Sequence, residues 1–270
     1  MRRTPMSGRK QKEHGRRVDC LKPNSSQYSS DSFATAARQS GLAMTAVILK
    51  TFAMSNDDPI TILEKLYAAV VADVLDTIGC PNQILSADVH ALTPANRVCG
   101  RVFTARAVEV DKVPPEPYKL EMEAIDTMVA GDVLVVDAGH NRRSAFWGEL
   151  LSTACQAKGV RGAVMTTCAR DLWKLNEMAF PVFGIGVTPA DSKGRIDVVE
   201  IGQPITIDGV ETRNGDYLIG DVDGVVIIPA DKLEETLHHS LEKVSGENTV
   251  RDELAAGVPV SEVFRKHGIL

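Results

Sequence analysis

The densest group of chemically capable residues lies between Asp137 and Asp171. An apolar run ends at Asp137, and an amphipathic helix is predicted to begin near Gly148. Glu149 stands at the start of that helix, and 20 residues separate it from Arg170. This strand–loop–helix–strand order can bring two carboxylates, a guanidinium and a helix N-terminus to one edge of a sheet. Such a group can hold a metal ion beside a small anion.

Each member of this group suits a different part of that task. The first N–H groups of the helix at Gly148 have no intrahelical partner, and the helix dipole places positive charge there. Arg170 offers a planar fork that fits a carboxylate. Asp171 offers an oxygen ligand for a hard divalent cation, and Glu149 is placed to hydrogen-bond a water on that cation. An ordinary ion pair at a helix start would show the same Arg170–Asp171 dipeptide, so spacing alone leaves both interpretations open.

The segment before this helix reads AGHNRRSAF and is predicted to be a loop. His140, Arg142 and Arg143 in it either bind a second carboxylate of a substrate or form an exposed polar loop. Other chemistries find no support in the sequence. No HxxxH pattern indicates a zinc hydrolase, no GxxxxGK[ST] indicates a phosphate-binding loop, and no GxSxG indicates a serine hydrolase.

Composition narrows the function classes further. The chain has 270 residues, of which 44% are hydrophobic and 24% charged, with a net charge of −6. Residues 1–50 carry ten Lys and Arg against three Asp and Glu, so the acidic charge lies in the remainder. Because the chain after residue 50 is acidic and has no cluster of basic residues, it is unlike a nucleic-acid-binding protein. No apolar stretch reaches the length of a membrane span.

Residues 1–53 differ from the rest of the chain, being rich in Arg and Ser. Three interpretations stay open: an organellar transit peptide, a disordered tail, or a translation start placed too far upstream, with Met54 as the natural start. We therefore expect a disordered or targeting extension over 1–53 and one domain over 54–270. The five cysteines lack CxxC spacing, which is typical of reduced thiols and of a cytoplasmic protein. A transit peptide would make the protein organellar instead.

Hydrophobic periodicity predicts alternating strands and helices, followed by a β-rich region and C-terminal helices. The pattern favours a mixed, layered α/β domain. The predicted helices cover about 60–79, 114–130, from 148, from 172, 230–256 and 260–267. The predicted strands cover 98–110, 133–137, 162–167, 181–187 and several short pieces within 195–229.

Five motifs in this order resemble the RraA-like family, which includes the regulator of ribonuclease activity A and 4-hydroxy-4-methyl-2-oxoglutarate aldolases. They are GDVLVVDAG, WGELLSTACQAKGVRGAV, ARDLWKL, FPVFGIGVTP and GDYLIGDVDGVVIIP. The resemblance covers roughly residues 60–270. It implies a layered α/β sandwich of the swivelling type with flanking N- and C-terminal helices, assembled as a homotrimer or hexamer with sites between subunits.

The resemblance also implies roles for individual residues. In the family's aldolases, backbone amides at the helix start and an arginine hold the carboxylate of pyruvate, and an aspartate binds Mg²⁺, Mn²⁺ or another divalent metal. The arginine and aspartate correspond to Arg170 and Asp171, and Glu247 is the match for a glutamate that a neighbouring subunit brings to the metal's water shell. The residues of the helix start are Gly148, Glu149, Leu150 and Leu151.

The expected function is that of a divalent-metal-dependent lyase acting on a small 2-oxo acid. Carbon–carbon cleavage would pass through a pyruvate enolate, in a retro-aldol reaction of a 4-hydroxy-2-oxo acid, in oxaloacetate decarboxylation, or in both. Glu149, Arg170 and Asp171 would be the catalytic residues. The alternative is a non-catalytic protein that binds and masks a ribonuclease. An acid at position 149 is typical of the aldolases and favours the enzyme.

Overall fold

The computed structural model of the protein describes residues 57–269. The predicted extension over 1–53 lies outside these residues. The described helices are α1 (Pro59–Leu63), α2 (Ala68–Thr77), α3 (Lys119–Thr127), α4 (Glu149–Ala157), α5 (Leu172–Met178), α6 (Leu233–Ala255), preceded by a 3₁₀ turn at Ala230–Lys232, and α7 (Val260–His267). Within the same residues, no helix is both long and apolar enough to cross a bilayer.

Nine strands form the main sheet and two form a separate hairpin. They are β1 (His90–Ala91), β2 (Val98–Glu109), β3 (Asp132–Trp147), β4 (Gly162–Ala169), β5 (Val182–Gly184), β6 (Gly186–Val187), β7 (Ile196–Ile201), β8 (Ile205–Ile207), β9 (Val210–Thr212), β10 (Tyr217–Asp221) and β11 (Gly224–Ile228). The main sheet has the order β1-β5-β4-β3-β2-β10-β11, with β6 beside β4 and β7 beside β2. Strands β2, β3, β4 and β5 run parallel, and the strands toward the edges are antiparallel.

The centre of the sheet is buried on both faces. Along β3, Leu134 and Val136 pack into one apolar cluster while Val133 and Val135 pack into the other. Because successive side chains of a strand point to opposite faces, a continuous apolar run is what such a strand requires. The run VLVVD therefore becomes the central strand, and its carboxyl end carries the chain to the predicted site.

The indole of Trp147 fixes the end of β3 against the start of α4. Trp147 is fully buried, and its Nε1 donates a hydrogen bond of 2.7 Å to Oγ of Ser152. The Ser152 hydroxyl in turn lies 3.0 Å from the carbonyl oxygen of Gly148. A buried aromatic ring and a satisfied hydroxyl thus lock the strand-to-helix junction.

The helix predicted over about 60–79 is wrong as a single element, because long-range contacts divide it. The guanidinium of Arg97 donates to the carbonyl of Leu66 at 2.6 Å, where a continuing helix would bond that carbonyl itself. The carboxylate of Asp221 accepts from the N–H of Ala68 at 2.8 Å and so caps α2 from a distant strand. The chain therefore forms two helices with a short break.

The segment AGHNRRSAF, predicted as a loop, belongs to β3 instead. The register between β3 and β4 shifts three times between Val136 and Trp147, so this part of the strand is irregular. The hydroxyl of Thr167 donates to the carbonyls of Asn141 at 2.8 Å and Ser144 at 3.2 Å. A side chain of the neighbouring strand thus pairs backbone groups that the irregular ladder leaves open.

Candidate active site

The predicted residues meet at a pocket of about 300 Å³ beside the end of β3 and the start of α4. The start of α3 and the segment before β7 complete its walls. Its lining combines apolar side chains with one guanidinium and three carboxyl groups: Tyr118, Glu121, Met122, Ala145, Phe146, Trp147, Gly148, Leu150, Leu151, Arg170, Asp171, Asp191 and Ser192. A mostly apolar cleft with a few convergent polar groups is typical of a small-molecule site.

Close packing explains the glycine at the helix start. Gly148 caps α4 with an extended backbone at φ −161°, which any residue can adopt. A Cβ at this position would lie only 2.6 Å from Oδ2 of Asp171. The N–H of Arg170 donates to the carbonyl of Trp147 at 2.8 Å, which ties the two segments together at this point. Glycine is therefore required so that Asp171 can approach the helix start.

Asp171 has an unusual backbone conformation for a residue with a side chain. Its φ of 58° and ψ of 29° are left-handed, where aspartate and asparagine are tolerated better than most residues. Oδ2 of Asp171 accepts from the N–H of Glu149 at 3.3 Å and lies 3.8 Å from Nε of Arg170. The side chain stays 42% exposed, so the carboxylate faces the pocket without being enclosed.

A second aspartate holds the guanidinium of Arg170 from the other side. Nη2 of Arg170 lies 3.2 Å from Oδ1 of Asp191, and the hydroxyl of Tyr118 donates to Oδ2 of Asp191 at 2.5 Å. Burial, together with the bond to Asp191, raises the pKa of Tyr118 to about 12. Tyr118 therefore stays a neutral donor at physiological pH, and the chain Tyr118–Asp191–Arg170 sets the orientation of the guanidinium.

Glu121 adds a third acidic group to the pocket wall. The residue is only 9% exposed although it carries a carboxyl group. Burial is the main cause that raises its pKa to about 8, and the nearby Asp191 and Asp197 raise it further while Arg170 opposes the shift. A carboxyl group in this environment is mostly protonated at neutral pH.

The structure brings most of the predicted site residues together. Gly148, Leu150, Leu151, Arg170 and Asp171 all line the pocket. Their assignment to a pyruvate carboxylate and a metal stays a prediction.

Glu149 differs from the other predicted residues of the helix start. Its N–H faces Asp171, but its side chain is not among those that line the pocket. Oε1 of Glu149 instead accepts a hydrogen bond of 3.2 Å from the hydroxyl of Thr153, one turn along α4.

Glu247 lies on α6 and accepts a hydrogen bond from the hydroxyl of Tyr67 within the same chain. Burial and this bond raise the pKa of Tyr67 to about 12. The predicted role of Glu247 concerns the site of a neighbouring subunit, whereas the structure describes a single chain. That role therefore stays a prediction.

The basic residues of AGHNRRSAF do not line the pocket. His140 is bonded to Asp208, and Arg143 pairs with Glu109. Arg142 donates to the carbonyl of Ile185, and a second nitrogen of its guanidinium lies 3.5 Å from Asp88. Arg142 and Arg143 nevertheless remain more than half exposed, and within this chain their nearest acceptors are protein groups. Within this chain these side chains belong to an exposed polar segment, and their binding of a second substrate carboxylate stays a prediction.

Sequence reasoning missed Tyr118, Glu121 and Asp191, which complete the pocket. Asp191 lies far from the other two along the chain, and no motif connects them. Glu121 gave a usable signal, because the helical period places it on the same face as the buried Ala124 and Ile125. A carboxyl group on an apolar helix face is unusual and indicates a role beyond packing.

The donor set of the pocket fits a magnesium-like cation. Magnesium is commonly held through one or two carboxylates while water or substrate oxygens complete its shell. Asp171 supplies one such carboxylate, half-exposed and beside a glycine that has no side chain to fill the adjoining space. Within residues 57–269, the only close group of three His, Cys, Asp or Glu ligands lies elsewhere, on α6, at His238, His239 and Glu242. The pocket does not offer the closed ligand set of a structural zinc site.

Comparison with known proteins identifies relatives over most of the described chain. A putative 4-hydroxy-4-methyl-2-oxoglutarate aldolase of Halalkalibacterium halodurans is 29% identical over 186 residues, which cover 69% of this chain and 83% of that protein. A 4-hydroxy-4-methyl-2-oxoglutarate aldolase of Thermus thermophilus is 32% identical over 137 residues, 49% of this chain and 76% of that protein. Protein DlpA of Legionella pneumophila is 25% identical over 70% of this chain, but the match spans only 30% of DlpA.

Solved structures show the same fold. Streptomyces coelicolor RraAS2, described as an unusual member of the RNase ES inhibitor RraA protein family, superposes with a TM-score of 0.65 at 25% identity, covering 72% of this chain and 96% of that one. An uncharacterized Pseudomonas syringae protein gives a TM-score of 0.69 at 22% identity, covering 77% and 93%. The predicted layered α/β fold of the RraA-like type is thus confirmed.

The family profile named RraA-like: Aldolase/RraA matches residues 68–227, more than half of the chain. That range contains both apolar faces of the sheet and every residue that lines the pocket. Relatives named as aldolases indicate a lyase at the level of the family, which also includes RNase inhibitors. The protein belongs to the RraA-like family.

Proposed function

We propose that this protein is a divalent-metal-dependent lyase that cleaves a carbon–carbon bond of a 2-oxo acid. The reaction is a retro-aldol cleavage of a 4-hydroxy-2-oxo acid, decarboxylation of oxaloacetate, or both. The observation that carries the proposal is the pocket itself, where a helix start, Arg170 and Asp171 meet against an apolar wall. An anion site and a cation site side by side match the carboxylate and keto oxygen of a 2-oxo acid.

The carboxylate of the substrate binds at the start of α4. The N–H groups of Glu149, Leu150 and Leu151 belong to the first turn, where they lack intrahelical acceptors. The N–H of Glu149 already donates to Asp171 at 3.3 Å, so those of Leu150 and Leu151 are the donors left for the substrate. Arg170 adds a guanidinium whose orientation is fixed by Asp191. Two kinds of donor then converge on one carboxylate, and the fixed guanidinium lowers the entropy lost on binding.

Asp171 would hold the divalent cation, Mg²⁺, Mn²⁺ or a similar ion. Such a cation supplies the Lewis acidity that draws electron density from a 2-oxo group. The chain's own contribution is position, because Gly148 and the left-handed backbone of Asp171 set the carboxylate beside the anion site. Phe146, Trp147 and Leu151 line the wall and exclude water, which strengthens the electrostatic interactions.

Glu149 is the proposed proton-transfer residue. Its backbone stands between the two halves of the site, and its carboxylate accepts a bond from Thr153 at the outer edge of the helix start. Retro-aldol cleavage requires a base for the 4-hydroxyl proton and an acid that returns a proton to C3. A carboxylate at this edge would serve both steps after turning from Thr153 toward the pocket.

A homotrimer or hexamer would complete the site. Met122 and Leu150 line the pocket and are 53% and 77% exposed, and Trp173, which follows Asp171 by two residues, is 67% exposed. Burying such a rim against a second subunit would remove apolar surface from water. In this arrangement Glu247 of α6 would approach the neighbouring subunit's metal site.

Pyruvate release tests the enzyme directly. Wild-type protein receives 4-hydroxy-2-oxo acids or oxaloacetate with magnesium, before and after EDTA. Asp171→Ala should lower metal-dependent turnover by at least about 100-fold, since a Lewis acid contributes several kcal/mol. Asp76→Ala, an exposed aspartate of α2, is the matched control and should keep full activity. If folded wild-type protein releases pyruvate no faster than the uncatalysed reaction, the proposal is wrong.

The alternative function is a protein that masks a ribonuclease, favoured by the likeness to RraAS2 of Streptomyces coelicolor. An acid at position 149 argues against it. Glu149→Ala separates the two functions: a lyase loses turnover, whereas a masking protein keeps its inhibition of a ribonuclease in a cleavage assay. Inhibition by the wild-type protein without any lyase turnover would support the masking function.

A further inference from the structure

A group of side chains that can bind a metal lies on α6, outside the pocket. His238, His239 and Glu242 each offer one ligand atom, and these three atoms all lie within 4.8 Å of one another. None of the three residues lines the pocket beside α4. The proposed lyase reaction uses none of them, so this group requires an explanation of its own.

The helical period brings the three side chains together. Residues three and four positions apart are neighbours on the surface of a helix, and Glu242 follows His239 by three positions and His238 by four. Nδ1 of His239 lies 3.1 Å from Oε2 of Glu242, and Nδ1 of His238 lies 3.6 Å from the same oxygen. Successive residues of a helix are rotated by about 100° around its axis, yet both imidazoles turn toward one carboxylate.

The two imidazole rings lie side by side. Their centroids are 5.2 Å apart, and their planes are tilted by 33° from each other. The side chains of His238 and His239 are 19% and 31% exposed, whereas that of Glu242 is 62% exposed. Packing within the chain therefore restricts the rings, and the carboxylate side of the group is open to ions and water.

The spacing of the ligand atoms fits a tetrahedral zinc ion. Zn²⁺ binds imidazole nitrogen at about 2.0–2.1 Å and carboxylate oxygen at about 2.0–2.2 Å, so two ligand atoms of a zinc tetrahedron lie about 3.4 Å apart. The two nitrogen–oxygen distances, 3.1 Å and 3.6 Å, lie on either side of that value. Small side-chain rotations would therefore accommodate the ion, with a water molecule as its fourth ligand.

The kinds of ligand atom distinguish this group from the proposed magnesium-like site. Imidazole nitrogen suits zinc and other late transition metals, whereas Mg²⁺ prefers carboxylate, carbonyl and water oxygens. Asp171 offers carboxylate oxygen, while the group on α6 offers nitrogen from two histidines and oxygen from one glutamate. The two places on the chain should therefore bind different metals.

The group on α6 and Glu247 face different sides of the helix. Glu247 follows Glu242 by five residues, and five steps of about 100° leave the two positions about 140° apart around the helix axis. Glu247 accepts its hydrogen bond from Tyr67 on that other side. A metal ion held by His238, His239 and Glu242 therefore requires no movement of Glu247.

We propose that His238, His239 and Glu242 form a zinc site on α6. One Zn²⁺ ion binds the two imidazole nitrogens, the carboxylate of Glu242 and one water molecule. The ion joins two successive turns of α6 and stabilises the folded protein, because the unfolded chain does not hold these ligands together. The site is independent of the proposed lyase function.

Calorimetric titration of the full-length protein, without a histidine tag, with Zn²⁺ in excess Mg²⁺ tests the site. The same titration in an Asp171→Ala background removes any contribution from zinc at the pocket. Both proteins should bind one Zn²⁺ per chain at α6 with the same affinity. His239→Ala and Glu242→Gln should each weaken this binding by at least about 100-fold, because losing a residue that merely orients a metal ligand already costs about 10–100-fold.

Two control variants make the same kinds of change elsewhere. Glu234→Gln alters an exposed glutamate near the start of α6, and His90→Ala removes an exposed imidazole from β1. Both variants should bind zinc as the wild type does. Thermal unfolding gives a second readout: zinc should raise the Tm of the wild type and of both controls, but not that of His239→Ala or Glu242→Gln.

X-ray absorption at the zinc identifies its ligands. A shell of two imidazole nitrogens with oxygen supports the proposal. A sulfur shell would place the ion at a cysteine, for which the partly exposed Cys80 is the candidate, and would overturn it. Zinc affinity that stays unchanged in both His239→Ala and Glu242→Gln, with circular dichroism showing folded proteins, would overturn it as well, and so would a folded wild type that binds no zinc.

Discussion

Two charged regions lie at the carboxyl end of β3 and differ in what their charged side chains contact. The segment of His140, Arg142 and Arg143 is as rich in charge as the junction of Gly148, Arg170 and Asp171. In the first segment each side chain meets a protein acceptor, and none lines the pocket beside α4. At the junction the charged groups converge on a pocket with an apolar wall.

The contrast shows that charge density alone does not identify a site. Arg143 is 65% exposed beside Glu109, and such a surface pair contributes little to stability. Arg170 is held by a tyrosine–aspartate chain, and Asp171 is forced into a left-handed conformation beside a glycine with no space for a Cβ. Since His140 also has a left-handed backbone and a fixed partner in Asp208, convergence of the charged groups on one pocket is what separates the two regions.

Among the changes that compare these two regions, replacing the guanidinium of Arg170 has the largest expected effect. Arg170→Lys keeps the charge but loses the planar fork that meets both Asp191 and a substrate carboxylate. We expect kcat/KM for a 4-hydroxy-2-oxo acid to fall by about 100-fold, mostly through KM. Steady-state kinetics measure this, and Arg142→Lys serves as the control from the other region. Similar losses in both variants would remove the distinction between the regions.

The second prediction concerns Glu121 and the pH dependence of the free energy of unfolding. A carboxyl group whose pKa rises from 4.5 to about 8 on folding binds its proton more tightly in the folded state. The folded protein therefore loses stability as the pH climbs from about 4.5 to about 8. The Glu121→Gln variant has no carboxyl group to ionise at this position. The difference between its free energy of unfolding and that of the wild type should therefore shift in its favour by about 2 kcal/mol between pH 6 and pH 9.

Urea unfolding at the two pH values measures this difference in free energy of unfolding. Glu123→Gln is the control, because its exposed side chain should leave the pH dependence of the wild type unchanged. An unchanged pH dependence in Glu121→Gln would contradict the protonated state of Glu121 in the pocket.

A pair of glycine substitutions compares the two regions directly. Gly148→Ala places a Cβ 2.6 Å from Oδ2 of Asp171, so kcat/KM should fall about tenfold as the carboxylate is displaced. Gly139 has a φ of +60° with no atom within 4 Å of a new Cβ. Gly139→Ala should cost about 1 kcal/mol of stability through backbone strain and leave kcat/KM unchanged. Equal kinetic losses would mean that the packing at Gly148 has no special role.

The smallest effect is expected for Arg143→Ala. Its exposed pair with Glu109 should contribute less than about 1 kcal/mol to the free energy of unfolding, and kcat/KM should stay within about twofold. Thermal unfolding and kinetics check both values. A tenfold rise in KM for 2-oxo acids with a charged tail would instead connect this segment to substrate recognition.

Local patterns predicted most of the elements. The central strand, the start of α4 at Gly148 and the limits of α7 follow from apolar periodicity and the positions of glycine. The break between α1 and α2 could not be predicted, because Arg97 and Asp221 act on it from distant positions. Hydrogen bonds between remote residues leave no periodic signal in the sequence.

The site was predictable on one side only. Gly148, Arg170 and Asp171 follow from the order of strand and helix and from the family resemblance. Tyr118 and Asp191 meet only because the start of α3 and the segment before β7 fold against the same edge of the sheet. Their contribution depends on tertiary packing, which local spacing does not encode.

The left-handed backbone at Asp171 restricts how this position can drift during evolution. Asparagine and glycine accept the backbone conformation but carry no negative charge, whereas glutamate carries the charge without the same tolerance for positive φ. This position therefore has two independent requirements, a backbone that tolerates positive φ and a negatively charged side chain, and aspartate meets both. Descendants that lose the chemistry should show asparagine or glycine here before any bulky residue, so the residue at this position would record whether a lineage kept the lyase activity.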